Sequence, residues 1–97
     1  MHATIRRYEG VDPAMTDELS RKVSETLVPQ LKNLEGFRGY YLIEAGNGVF
    51  SSVGLFKEPA QSDEATKVAA AWVQQEKLES VLPNPPRITS GEVIAQS

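Results

Sequence analysis

The chain has 97 residues, 40% of them hydrophobic and 24% charged, with a formal net charge of -3. That length and balance suit one folded domain, residues 1–97, with a modest core. The acidic balance argues against a nucleic-acid partner, which calls for a basic footprint. The absence of cysteine excludes disulfides, thiol catalysis and zinc-thiolate sites. The longest apolar run, residues 68–73, is far too short to span a bilayer, and the first residues carry no apolar signal core. The chain therefore reads as cytoplasmic, with no membrane partner.

A short strand is expected over residues 3–8. Alternation puts Ala3, Ile5 and Arg7 on one side and Thr4, Arg6 and Tyr8 on the other. Gly10 ends it. Asp12 and Pro13 then open a helix: Asp12 can cap the free amides, and Pro13 suits the first helical position. Asp17 and Glu18 favour the positive helix start. Met15, Leu19, Val23 and Leu27 recur every four residues and form one apolar stripe. Pro29 has no N–H and crowds the carbonyl of Glu25, so the helix should bend or break near Val28. Leu31 and Leu34 continue the apolar side as far as Gly36.

Residues 36–56 are the stretch around which the chain is organised. Two β-rich runs flank Asn47-Gly48, the dipeptide best suited to a type I′ turn, where both central residues need φ > 0. A two-residue loop there fixes the register. Tyr41 should face Gly54 and cover its gap, with Gly39 opposite Phe56, Ile43 opposite Ser52 and Leu42 opposite Val53. One face would carry Phe37, Tyr41, Ile43, Phe50 and Phe56, the other Tyr40, Leu42, Val53 and Leu55. Both are apolar, whereas a sheet with one wet side alternates cleanly. The helices of one chain can cover only one face. The other is expected to meet a second subunit or an apolar ligand.

Ser62, Asp63 and Glu64 suggest the start of a second helix, with Ser62 as its cap. Ala65, Val68, Ala69, Trp72 and Val73 then fall on one helical face. That stripe fails around residues 75–77, where the helix should break or shift register. The run Pro83-Asn84-Pro85-Pro86 is a stiff connector, and residues 88–94 are the last strand candidate. The order β-α-β-β-α-β, with right-handed crossovers, gives a ferredoxin-like α+β fold: a four-stranded antiparallel sheet with both helices on one face.

With that order, the Gly36-Phe37-Arg38-Gly39-Tyr40 start of the second strand and the Trp72 helix, the chain resembles the antibiotic biosynthesis monooxygenase-like family over about residues 3–94. The resemblance implies a dimeric α+β barrel, a homodimer joined through the sheet face. It also implies a small apolar or aromatic ligand and an oxygenase chemistry that needs no metal or flavin. The haem-degrading branch of that family uses an Asn on the first strand, a Trp ending the third and a His on the second helix. None has a counterpart here: the third strand ends in Phe56, and the only histidine is His2. No cofactor is expected.

The candidate substrate-binding residues are Arg6, Tyr41, Ser52, Phe56 and Trp72, each with an ordinary structural role beside the functional one. Arg6 could stabilise an anion, or sit in a salt bridge. Tyr41 could offer its phenol to a ligand, or pack on the sheet. Ser52, among larger neighbours, could help leave a cavity that the aromatics, Phe56 among them, otherwise fill. Trp72 could line a pocket, or form the core. No catalytic residue stands out, no acidic cluster has metal-ligand spacing, and a non-enzymatic module with a self-filled pocket fits the same residues.

Overall fold

In the computed structural model, which describes residues 1–97, β1 (His2–Tyr8) is followed by a helical turn, Pro13–Met15. Asp12 caps that turn, its carboxylate accepting from the Ala14 amide at 2.9 Å. Helix α1 (Thr16–Lys22) runs on into a wider π segment, Val23–Leu27, and then α2 (Val28–Lys32). The strands β2 (Phe37–Gly46) and β3 (Val49–Phe56) form the hairpin, α3 (Pro59–Gln75) crosses back, and β4 (Arg87–Glu92) closes the sheet. The strand order is β2-β3-β1-β4, antiparallel throughout. This is the ferredoxin-like arrangement expected from the element order.

Pro29 does not break its helix. With no proline N–H available for Glu25, the chain widens by one residue, and the Val28 amide donates to the Val23 carbonyl five residues back. Side chains add bonds to the backbone of this segment: Thr26 Oγ1 donates to the Lys22 carbonyl at 2.7 Å, and Gln30 Nε2 to that of Thr26 at 2.7 Å. The apolar stripe survives, with Leu19, Val23, Leu27 and Leu31 all buried. Ser62 is not the cap of the second helix. That helix begins at Pro59, and Glu58 and Gln61 form a reciprocal capping box. Ser62 lies one turn inside, buried, with its Oγ unpartnered.

The hairpin turn sits where expected, with φ of 55° at Asn47 and 76° at Gly48. The register does not. Glu44 pairs with Phe50 and Gly46 with Val49, so Ala45 is an extra residue, a β-bulge. Every later pair moves by one: Tyr40, not Tyr41, faces Gly54; Tyr41 faces Val53; Leu42 faces Ser52; Ile43 faces Ser51; and Gly39 faces Leu55. A second irregularity at Arg38 shifts the register by one more residue, so that Phe37 faces Phe56, and their rings meet edge to face at 5.7 Å. The membership of both faces changes accordingly. Toward the helices point Tyr40, Leu42, Phe50, Ser52 and Phe56, together with Thr4, Arg6 and Tyr8 of β1. On the open face lie Tyr41, Ile43, Val53, Leu55 and Ile5. Tyr41 is 60% exposed there, Ile43 48% and Ile5 39%. No helix is long and apolar enough to cross a membrane.

In this register Gly54 has room for a methyl group. A Cβ at Gly54 would lie 3.8 Å from Phe56 Cε1 and 4.0 Å from Tyr40 Cδ2, ordinary contact distances. At Gly48 it would lie 2.5 Å from the Val11 carbonyl oxygen, on a residue with positive φ. Gly54→Ala is therefore expected to leave the urea midpoint unchanged or raise it. Gly48→Ala should lower stability by about 1–3 kcal/mol. A Gly48→Ala variant as stable as the parent would show that the loop before α1 does not pack on the turn.

Candidate functional site

The helices cover the sheet so closely that little space remains around Trp72. The void between sheet and helices is about 30 Å³, lined by Arg6, Tyr8, Tyr40, Ser52, Trp72 and apolar neighbours. That is room for about one or two water molecules. A smaller void of about 10 Å³ lies beside Phe56, Gly54 and Ser62. Trp72 is buried and anchored, its indole N–H donating to Thr26 Oγ1 at 2.6 Å. The π segment in the first helix thus supplies the acceptor that a buried indole requires.

The open site is next to this packed region. A cleft of about 500 Å³ lies between α3, the residue 83–86 connector and the β1–β4 edge of the sheet. It shares Arg6, Tyr8, Ala69, Val73 and Leu82 with the 30 Å³ void, so these side chains form a wall common to both. Pro83, Asn84, Pro85 and Pro86 form one bank. The connector is held there by Asn84 Nδ2, which donates to the Glu9 carbonyl at 3.0 Å.

Arg6 lines the cleft and both voids. Its residue is only 7% exposed, and it stands in the middle of the sheet, between Ser52 on β3 and Ile88 on β4. One guanidinium N–H donates to Thr66 Oγ1 on α3, whose hydroxyl in turn donates to the Ser62 carbonyl. Arg6 makes no salt bridge: the four ion pairs of the chain are Met1–Glu92, Arg7–Glu9, Arg21–Glu25 and Lys22–Glu76. Two phenols stand near it. Burial raises the Tyr8 pKa, and the Arg6 charge pulls against that rise. Burial also raises Tyr40, with Ser52 lowering it, Tyr8 raising it and Arg6 lowering it to lesser degrees. Both phenols stay protonated at neutral pH and can donate hydrogen bonds.

Of the five residues read from the sequence, the structure gathers four. Arg6, Ser52 and Trp72 line the 30 Å³ void, and Phe56 lines its smaller neighbour. Tyr41 is on the opposite face of the sheet, because the Ala45 bulge turns it outward and brings Tyr40 in. Sequence reasoning missed Tyr8, Thr66 and the connector bank. Tyr8 was legible, since alternation already placed it on the same side as Arg6. Nothing in the sequence says that the proline connector folds beside α3.

No family model and no curated protein matches the chain. Solved structures do. The monooxygenase from the gene ActVA-Orf6 of Streptomyces coelicolor, in complex with nanaomycin D, superposes with a TM-score of 0.71 at 14% identity, over 98% of this chain and 92% of that one. A variant of MhuD with two manganese protoporphyrin IX molecules bound per active site gives 0.77 at 17% identity, over 100% and 98%. An antibiotic biosynthesis monooxygenase gives 0.73 at 15%, over 98% and 100%. At these identities the likeness is one of fold: the chain has the ferredoxin-like α+β fold of the antibiotic biosynthesis monooxygenase-like proteins.

Proposed function

We propose that the protein binds a small organic molecule in the cleft beside Arg6, works as a homodimer joined through the open sheet face, and oxidises an aromatic substrate with molecular oxygen and no cofactor. The observation that carries this reading is Arg6, a residue only 7% exposed and without a carboxylate partner, at the wall of a 500 Å³ cleft. Pockets of that size, mostly apolar with a few placed polar groups, are the usual small-molecule sites. Neighbours of the same fold hold nanaomycin D and manganese protoporphyrin IX, which supports a ligand-binding role.

The chemistry follows from the charge. Molecular oxygen reacts slowly with a closed-shell substrate unless that substrate is electron-rich. A cation already fixed in the cleft wall stabilises negative charge on the bound molecule and costs no reorganisation when the charge develops. Tyr8, a neutral phenol on the cleft wall, can donate a hydrogen bond to a substrate oxygen. Conversion of a ring methylene to a carbonyl consumes one O2 and releases one water, the substrate supplying all the electrons. Haem degradation is left out of the proposal, because α3 carries no histidine and His2 stands at the start of β1.

The open sheet face supports the homodimer. Ile5, Tyr41 and Ile43 are exposed on it, beside Val53 and Leu55. A second copy of the same face would cover them all, and two-fold dimers are the commonest closed assemblies. A second functional reading, a binding module without catalysis, draws on the closed packing around Trp72, where only about 30 Å³ is free. Oxygen consumption separates the two. Among electron-rich phenols and quinols, at least one is expected to drive uptake above the blank, and Arg6→Met should abolish it. No uptake across the set would leave the binding module standing.

A further inference from the structure

The charge of Arg6 has no answer within its own chain. Arginine stays ionised in proteins and offers five N–H donors. One is used by Thr66, and no protein group accepts from the others. The only acid lining the cleft, Glu79, is exposed and makes no ion pair with Arg6. A buried charge without a partner is among the more costly features a small fold can carry. Here the residue is nine-tenths buried, and the N–H groups it leaves free reach solvent at the wall of an open cleft.

We infer that the cleft takes an aromatic carboxylate, its carboxylate paired with the Arg6 guanidinium and its ring lying over Ala69, Val73 and Leu82. The inference rests on the cleft being the ligand site, and not on the oxygen chemistry. Three features select this class. Arg6 is the only basic residue lining the cleft, which suits a single negative charge better than a phosphate dianion. A carboxylate is ionised at neutral pH, whereas an ordinary phenol is not, so only the acid brings a ready counter-charge. Two carboxylate oxygens also match the paired donors of a guanidinium. The remaining walls offer prolines on one bank and Ala69, Val73 and Leu82 on the other as apolar surface for a flat ring, with Gln74, Glu79 and Asn84 as the polar positions.

The test uses 2-naphthoate and its neutral isostere 2-naphthamide, titrated into the whole protein by calorimetry. Naphthoate is expected to bind at least tenfold more tightly than the amide. Arg6→Met should erase that preference, and Arg6→Lys should keep part of it, with charge but no fork geometry. Arg6→Met is also expected to melt at or above the parent temperature, since it removes an unpaired buried charge and Thr66 keeps its bond to the Ser62 carbonyl. Equal binding of the two probes overturns the inference, as does no binding of either, or a preference that survives in Arg6→Met. An Arg6→Met variant melting well below the parent would assign Arg6 to the scaffold instead. If that variant does not fold, Arg6 has a scaffold role as well, and the probe preference of Arg6→Lys beside that of the parent decides whether it holds the carboxylate. Naphthoate selectivity without oxygen uptake would sink the oxygenase and keep the anion site. Uptake without selectivity would do the reverse.

Discussion

Trp72→Ala is expected to destabilise the protein by about 3–5 kcal/mol, the usual cost of emptying a buried aromatic site. Trp72 is 3% exposed and is packed among core residues that include Leu19, Val23, Leu27 and Phe50. Its neighbours come from three elements that hold one another in place, so little collapse can fill the hole. In a chain of this size each kcal/mol shifts the melting temperature by about 4–8 °C. The variant should therefore melt tens of degrees below the parent, or fail to fold at 37 °C. Trp72→Phe separates packing from polarity. It keeps an aromatic ring and loses the indole N–H that donates to Thr26, so a smaller loss, of about 1 kcal/mol for the bond plus a packing term, is expected. Thermal and urea unfolding followed by far-ultraviolet circular dichroism measure both. A Trp72→Ala variant melting within 5 °C of the parent would mean that the ring lines an open space after all.

Val53→Glu is expected to convert the proposed dimer into a folded monomer. Val53 lies in the middle of the open face, paired with Ile5 on β1 and Tyr41 on β2, so one apolar row crosses three strands. In a two-fold assembly each substitution appears twice, facing a second copy of the same row. Two carboxylates would then be carried into an apolar interface with no cation to meet them. At a cost of about 2 kcal/mol or more each, dimerisation weakens by roughly a thousandfold. Within the monomer the side chain points to water, so the helical and strand signal should persist. Sedimentation velocity at micromolar concentration reads the result. A Val53→Glu protein that sediments as a dimer, alongside a dimeric parent, would place the subunit contact elsewhere.

Much of the fold could be read from the sequence because its signals are local. Asp12-Pro13 marks one helix start, Asn47-Gly48 one turn, and the four-residue stripe from Leu19 to Leu27 one buried face. The errors came where a neighbouring residue changed the count. Ala45 pairs with nothing, and that single extra residue exchanged the roles of Tyr40 and Tyr41. Period-two reasoning has no memory of a bulge: one slip turns every following side chain over. Gly46, with φ of 87° just before the turn, was the available hint. Pro29 was legible as a disturbance but not as a kind: its missing N–H pointed to a bend or break near Val28, and the helix instead widens into a π segment over Val23–Leu27 and resumes at Val28. Of the cleft itself only the β1 wall was legible, where alternation placed Arg6 and Tyr8 together. The cleft depends on where the connector packs against α3, a long-range contact that no local pattern encodes.

The two faces of the sheet carry different work in this account: Arg6 and the cleft on the helix side hold a ligand, and the row through Val53 holds a second copy. Amide chemical shifts recorded while 2-naphthoate is added to the ¹⁵N-labelled protein test that division most directly. Changes are expected to centre on Arg6, Tyr8, Thr66, Val73 and Leu82, with Tyr41, Ile43 and Leu55 unmoved. Changes centred on the open face instead, with the Arg6 neighbourhood silent, would contradict it.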